Sequence, residues 1–212
     1  MELIANRLAL ADVMNKLASV RPVFHSEADF EFAFAQTVWS LDPSIRLRLE
    51  VPARNLKTRR SEYIDMVCIA DSVTRIEFKY AMGQWDGTDG ITDERFVLRN
   101  HAAMDLARHG FIHDVSRLER LTTDPNDNGL AIMLTNCPAL WEPATTASRD
   151  AAFRIHEGQR ITGELTWGTP ERPYPKNDRS IRRQYTAHWR KFSQPQGCKL
   201  RWLGWAINPQ DA

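Results

Sequence analysis

The chain has 212 residues, 42% of them hydrophobic and 26% charged, with a formal net charge of +1. That length suits one domain with a sizeable core, and the composition is ordinary for a soluble globular protein. Apolar runs such as Leu130 to Leu134 are far too short to span a bilayer, and Met1-Glu2-Leu3 lacks the basic start and apolar core of a signal peptide, so a cytoplasmic protein with no membrane partner is expected.

In chain order, apolar residues at helical spacing (Leu3, Ile4, Leu8, Leu10, Val13, Leu17) predict a helix over 3–19, ended by Arg21-Pro22. Ser26 is placed to cap a second helix with Glu27 in its first turn, continuing through Phe30, Phe34 and Val38 to Leu41. Ile45 to Val51 alternates apolar residues with Arg46, Arg48 and Glu50, which reads as a half-exposed strand. Two aromatic and β-branched runs, 61–70 and 74–81, flank Asp71-Ser72-Val73 and read as a β-hairpin. Gly83 to Gly90 reads as a polar loop. Thr92 then caps a predicted helix with Phe96, Val97, Ala103, Leu106 and Ala107 on its apolar side, interrupted at Gly110 and followed by a shorter helix over 114–121.

Leu130 to Leu134 is expected as a buried strand, 143–182 as loops with short elements, and 185–192 and 200–207 as late strands or a strand and a helix. No internal repeat, low-complexity tract or linker interrupts the chain. The order helix, three strands, helix, strand suggests one mixed α/β domain over 1–212. Cys68, Cys137 and Cys198 lie far apart with no CxxC pair, which argues against a zinc knuckle or a disulfide framework.

The hairpin carries the chemistry. Ile76, Phe78 and Tyr80 share one face of its second strand, and Glu77 and Lys79 share the other. Asp71 lies midway between Asp65 and Glu77, so a turn centred there places the two carboxylates opposite each other. At ~4 Å they repel by about 4 kcal/mol at an effective dielectric near 20. A bound cation would relieve this, as would Lys79, and hard oxygen ligands suit Mg²⁺ or Mn²⁺. The same three residues equally describe a solvated strand face with a cross-strand ion pair. Glu27, three residues before Phe30 and seven before Phe34, is on the core-facing side of its helix, and Glu31 borders that side. A carboxylate so placed needs a partner, although Glu27 also suits the helix N-terminus by charge alone.

With Ser26-Glu27-Ala28-Asp29-Phe30-Glu31, Tyr63-Ile64-Asp65 and Ile76-Glu77-Phe78-Lys79 in this order, the sequence resembles the PD-(D/E)xK phosphodiesterase superfamily. The resemblance spans roughly 24–136, with Ile64 in place of the motif's proline. It implies an α/β, restriction-endonuclease-like core, a mixed central β-sheet flanked by helices; 137–212 lies outside the resemblance and is expected, from its composition, as a loop-rich basic C-terminal extension of the same domain. It further implies that Asp65, Glu77, the Phe78 carbonyl and Glu27 (or Glu31) hold Mg²⁺ or Mn²⁺, that Lys79 serves the attacking water, and that Glu27, Asp65, Glu77 and Lys79 are the catalytic set. The implied activity is endonucleolytic hydrolysis of DNA in a defence, restriction or mobile-element setting, with RNA as an alternative substrate. A homodimer or a partner subunit is compatible with it. A catalytically inactive nucleic-acid-binding or assembly module on the same fold is the competing reading.

Nine basic residues against Glu171 and Asp178 lie between 171 and 201, and a second basic stretch covers 46–60. Local basic surface is the footprint of a polyanion site, and equally a solvated face. Arg59, Arg60, Arg99, Arg182, Arg183, Arg190 and Lys191 are the candidate nucleic-acid contacts. His25 and Arg108 are lesser candidates for phosphate. Tyr185, Trp189, Phe192 and Trp202 interleave with the basic residues and suit either base stacking or core packing. His109 and His113, with Gly110 between them, make a poor helical metal pair.

Overall fold

A strand buried on both faces reads as an unbroken hydrophobic run. Leu130 to Leu134 is such a run, and it forms the middle of the molecule. The computed structural model describes residues 2–54, 61–100 and 103–209. Its sheet contains β1 (Arg46–Arg54), β2 (Ser61–Ile69), β3 (Val73–Ala81), β4 (Asn128–Thr135), β5 (Arg190–Ser193) and β6 (Leu200–Ile207). The order across the sheet is β5-β6-β4-β3-β2-β1. β3 and β4 are parallel, joined by a crossover containing α3 (Met104–Leu121), and the other neighbours are antiparallel. The architecture is therefore α/β with a mixed six-stranded central sheet, its last two strands supplied by the C-terminal segment.

Alternation along β4 divides the interior into two layers. Leu130, Ile132 and Leu134 join Ile76, Phe78 and Tyr80 beneath α1 (Leu10–Val20) and α2 (Glu27–Leu41). Ala131 and Met133 face Phe111, Ile112, Val115 and Leu118 of α3, together with Leu203 and Trp205. On the first side, Phe30 and Phe34 of α2 meet the Phe78 ring edge-on at 5.2 and 5.1 Å between centroids. Ser26 caps α2 as expected, its hydroxyl accepting from the Asp29 amide at 3.2 Å. The same cap sets Glu27 at the first turn, directly above β3. On the second side, α3 is covered by a hairpin of Arg160–Leu165 with Arg179–Thr186. A fourth, one-turn helix, α4 (Pro138–Trp141), follows β4. Among the described residues, no helix is long and apolar enough to cross a membrane.

Three expectations change. Residues 3–9 are a short hairpin, Leu3–Ile4 with Leu8–Ala9, and the helix starts only at Leu10. Ala5 and Asn6 turn there with φ of 51° and 57°, and the Ala5 amide donates to Thr74 Oγ1 at 2.7 Å, so the helical spacing of Leu3 and Ile4 is incidental. No helix begins at Thr92. Trp85–Thr88 pairs with Arg95–Leu98, and Asp89 fills the loop by accepting from the Ile91 and Thr92 amides at 2.8 Å each. Phe96 and Leu98 are buried while Arg95 and Val97 are exposed, a period of two rather than 3.6. Lastly, Gly110 does not interrupt α3, which runs unbroken from Met104 to Leu121.

Candidate active site

The hairpin has the expected register. Ile69 pairs with Val73, Cys68 with Thr74, Val67 with Arg75 and Met66 with Ile76, all centred on Asp71. The ladder then stops, one pair short of Asp65 and Glu77. Beyond that point the edge of β3 facing β2 has two amides that no β2 carbonyl takes. Asp65 Oδ2 accepts from the Phe78 N–H at 2.8 Å, and Glu27 Oε2, reaching down from α2, accepts from the Tyr80 N–H at 2.7 Å. The Lys79 ammonium lies between them in sequence, 3.8 Å from Glu27 Oε1, and donates to the Phe78 carbonyl at 2.8 Å. Four of the residues singled out from the sequence thus meet around one opening in the sheet.

α3 closes the other side with two residues that the sequence reading missed. Asp114 Oδ2 is 2.9 Å from Lys79 Nζ, and Arg117 bonds Glu77 Oε2 and lies 3.6 Å from Asp114 Oδ1. Gly110 is one turn earlier, and a Cβ there would stand 3.4 Å from Lys79 Cε. Gly110, Asp114 and Arg117 at i, i+4 and i+7 form one stripe along α3. That spacing was visible in the sequence. Ending the helix at Gly110 hid it.

Burial and crowding set the electrostatics. Burial pushes the Glu77 carboxyl up to about 9, with Asp65 and Asp114 adding to the shift and Arg117 opposing it. Burial also raises Glu27 and Asp114, against the pull of Lys79. Glu31 rises to about 7 through burial, then Asp65, Glu27 and Glu50. For Lys79, burial works against the charge, but Asp114, Glu27 and Asp65 outweigh it and hold the ammonium well above its ordinary range. Arg117 follows the same pattern through Glu77 and Asp114. Glu50 belongs to this group by register: it falls between the pairs Leu49 with Met66 and Val51 with Ile64, opposite Asp65, with φ at 49°.

These residues fit a hard divalent cation in donor type and charge. Among the described residues, Glu27, Glu31, Glu50, Asp65, Glu77 and Asp114 are joined by the cations Lys79 and Arg117, and Glu77 Oε1 is buried with no hydrogen-bond partner. Their spacing is another matter. Among the described residues, no group of three or more His, Cys, Asp or Glu is gathered so as to hold one ion. Asp65 and Glu27 are engaged with backbone amides, Glu77 with Arg117, and the Phe78 carbonyl with Lys79.

Among the described residues, the basic candidates do not form one surface. Arg59 and Arg60 lie outside the described residues. Arg99 is exposed but precedes α3 instead of riding on a helix. Arg108 is buried, its Nε bonding Asp150 at 2.6 Å, so it is a structural ion pair and not a phosphate ligand. Arg182 and Arg183 dock the C-terminal hairpin on α3 through their amides, both received by Glu119, while the Arg182 side chain stays exposed. Arg190 grips Glu2 through both terminal nitrogens and stacks 4.7 Å over Trp202. Arg190 and Lys191 are on β5, three strand spacings from β3, or about 14 Å. Tyr185, Trp189, Phe192 and Trp202 are core residues. His25 stacks on Phe96 and bonds Glu94 at 2.9 Å. His109 contacts the Asn177 carbonyl and His113 accepts from Arg179, so neither is aimed at a shared metal. Compared with protein-family models, curated proteins and solved structures, the chain matches none.

Proposed function

We propose that the chain is a metal-dependent nuclease of the PD-(D/E)xK superfamily, on a restriction-endonuclease-like core, that hydrolyses phosphodiester bonds within DNA. The observation that carries this reading is the pair of carboxylates, Asp65 and Glu27, seated on the Phe78 and Tyr80 amides of β3 with the Lys79 ammonium beside them. A defence, restriction or mobile-element role follows from the resemblance, and RNA is the alternative substrate.

Asp65, Glu77, Glu27 and the Phe78 carbonyl would hold Mg²⁺ or Mn²⁺. When bound, such an ion polarises a phosphoryl oxygen and lowers the pKa of coordinated water. Lys79, 2.9 Å from Asp114 and 3.8 Å from Glu27, would act as a hydrogen-bond donor. It orients the attacking water and offsets the charge that gathers on the phosphoryl oxygens. The proton leaving that water would pass to a solvent water, because Glu27 would be engaged at the ion and with the Tyr80 amide. A new bond forms from water oxygen to phosphorus as the bond to the leaving sugar oxygen breaks, and that oxygen takes a proton from solvent. In the test, closed circular plasmid with Mg²⁺ becomes nicked and linear with the wild type. A plasmid left intact in Mg²⁺ and in Mn²⁺ overturns the proposal.

One observation favours the second reading, an inactive nucleic-acid-binding or assembly module. Glu77 and Asp114 are already paired with Arg117 and Lys79, so the fold has internal counter-charges. Calorimetry with Mn²⁺ separates the two: heat of binding that disappears in Glu77→Ala supports the nuclease, and no heat supports the inert module.

A further inference from the structure

Away from this site, a cleft of about 630 Å³ opens between Leu106 of α3 and the hairpin of Gly168–Thr169 with Arg172–Pro173. One wall is Trp167, buried and firmly held. Its amide donates to Asp178 Oδ1 at 2.7 Å, and its ring packs on Phe153 and His109 at 5.3 and 5.0 Å. The Arg149 guanidinium lies 5.5 Å over the same ring and is tied to Asp105 at 2.9 Å. Arg172 and Tyr174 complete the mouth, with Tyr174 51% exposed, and no acidic residue is among the described residues lining the cleft. The turn shape is built in: Gly168 has φ of 111°, and a Cβ there would collide with the Arg172 carbonyl oxygen.

An open aromatic ring beside two guanidinium groups matches a nucleobase face with a neighbouring phosphate. In a duplex that face is stacked on its neighbours, so only an unpaired base can use the tyrosine. The cleft and the candidate active site share α3: Leu106 precedes Asp114 by eight residues, about 12 Å along the helix.

We propose that this cleft is a subsite for an unpaired nucleobase and its adjoining phosphate, taken from a single-stranded stretch of nucleic acid. The proposal rests on the nuclease reading and deepens it, since it names an unpaired segment as the part of the substrate that the protein holds.

The test is fluorescence anisotropy with labelled single strands of about 15 nucleotides, within the span such sites cover. EDTA is present so that no cutting occurs. DNA and RNA strands of one sequence are run in parallel, and the tighter identifies the source. Tyr174→Ala and Arg172→Ala should each weaken binding about tenfold, with melting temperatures unchanged. An abasic strand of the same length should bind the wild type about tenfold more weakly than the intact strand, which tests the subsite even if a variant misfolds. Variants that bind like the wild type, or an abasic strand bound as tightly as an intact one, overturn the subsite. Plasmid cutting with variant-insensitive binding rejects the subsite alone, and variant-sensitive binding without cutting rejects the nuclease alone.

Discussion

The guanidinium of Arg117 bonds one carboxylate oxygen of Glu77, and the other oxygen, Oε1, is buried with no hydrogen-bond partner. Glu77 is 1% exposed, so a charge there has almost no help from water. Removing Arg117 leaves Glu77 uncompensated and deprives Asp114 of its second cation. Arg117→Met should therefore cost about 1–3 kcal/mol at neutral pH, the penalty of a buried polar group left unsatisfied, and more as pH rises past about 9. Adding Glu77→Gln should remove the extra loss at high pH, because the amide carries no charge. Denaturant melts of the two variants check this. Equal stability for Arg117→Met and the wild type would contradict it.

Gly110 lets α3 pass close to Lys79. With a Cβ at ordinary contact distance from Lys79 Cε, Gly110→Ala should leave the ammonium in place and gain up to about 1 kcal/mol of helix stability. Gly110→Leu carries bulk into the space that Lys79 Cε and Cδ occupy. It should reduce plasmid cutting by about 100-fold, the scale for roughly 1 Å of misplacement, while the protein still folds. Thermal melts and cutting rates for both variants decide the point.

Glu31 gives a dependence on pH. Its carboxyl rises from 4.5 to about 7 in the folded protein through burial, then Asp65, Glu27 and Glu50. The folded state therefore holds this proton more tightly than the unfolded one. The stabilisation is complete below about 4.5 and is lost as pH rises through about 7. Glu31→Gln stays neutral throughout, so its stability relative to the wild type should grow between those two values. His113, lowered to about 4 by burial and then Arg179, contributes in the opposite sense, losing stability as pH falls from 6.5. It is common to both proteins and cancels in the comparison. Melting profiles that run parallel for wild type and Glu31→Gln would contradict the assignment. Mn²⁺ should also raise the wild-type melting temperature more at pH of about 8 than of about 5, since protons compete for the carboxylates.

Phe30 ties the fold to the site. It is fully buried against Phe24, Phe78 and Tyr80, one turn after Glu27. Phe30→Ala should cost about 3–5 kcal/mol and loosen the helix turn that seats Glu27 on the Tyr80 amide. Chemical denaturation measures the first effect, and weaker calorimetric Mn²⁺ binding the second.

What could be read in advance follows from how local each signal is. The hairpin register was legible because the turn around Asp71 is short and symmetric, so position alone sets which residues face each other. Glu27 was legible because the Ser26 cap fixes where α2 begins and the helical period fixes its face. Asp114 and Arg117 were not, because Gly110 read as a break when its role is to admit Lys79. The Trp85 to Leu98 hairpin was obscured by Thr92, whose capping character serves the Asp89 turn. The basic C-terminal residues show a further limit. Charge can be counted along the chain, but only the docking of strands puts Arg190 against Glu2 and Arg183 against α3.

The most direct measurement is plasmid cutting in Mg²⁺ by the wild type and Asp65→Asn, purified side by side and matched by melting temperature. Nicked and linear products are expected from the wild type, none in EDTA, and none from Asp65→Asn. Equal cutting by the two proteins would contradict the nuclease assignment.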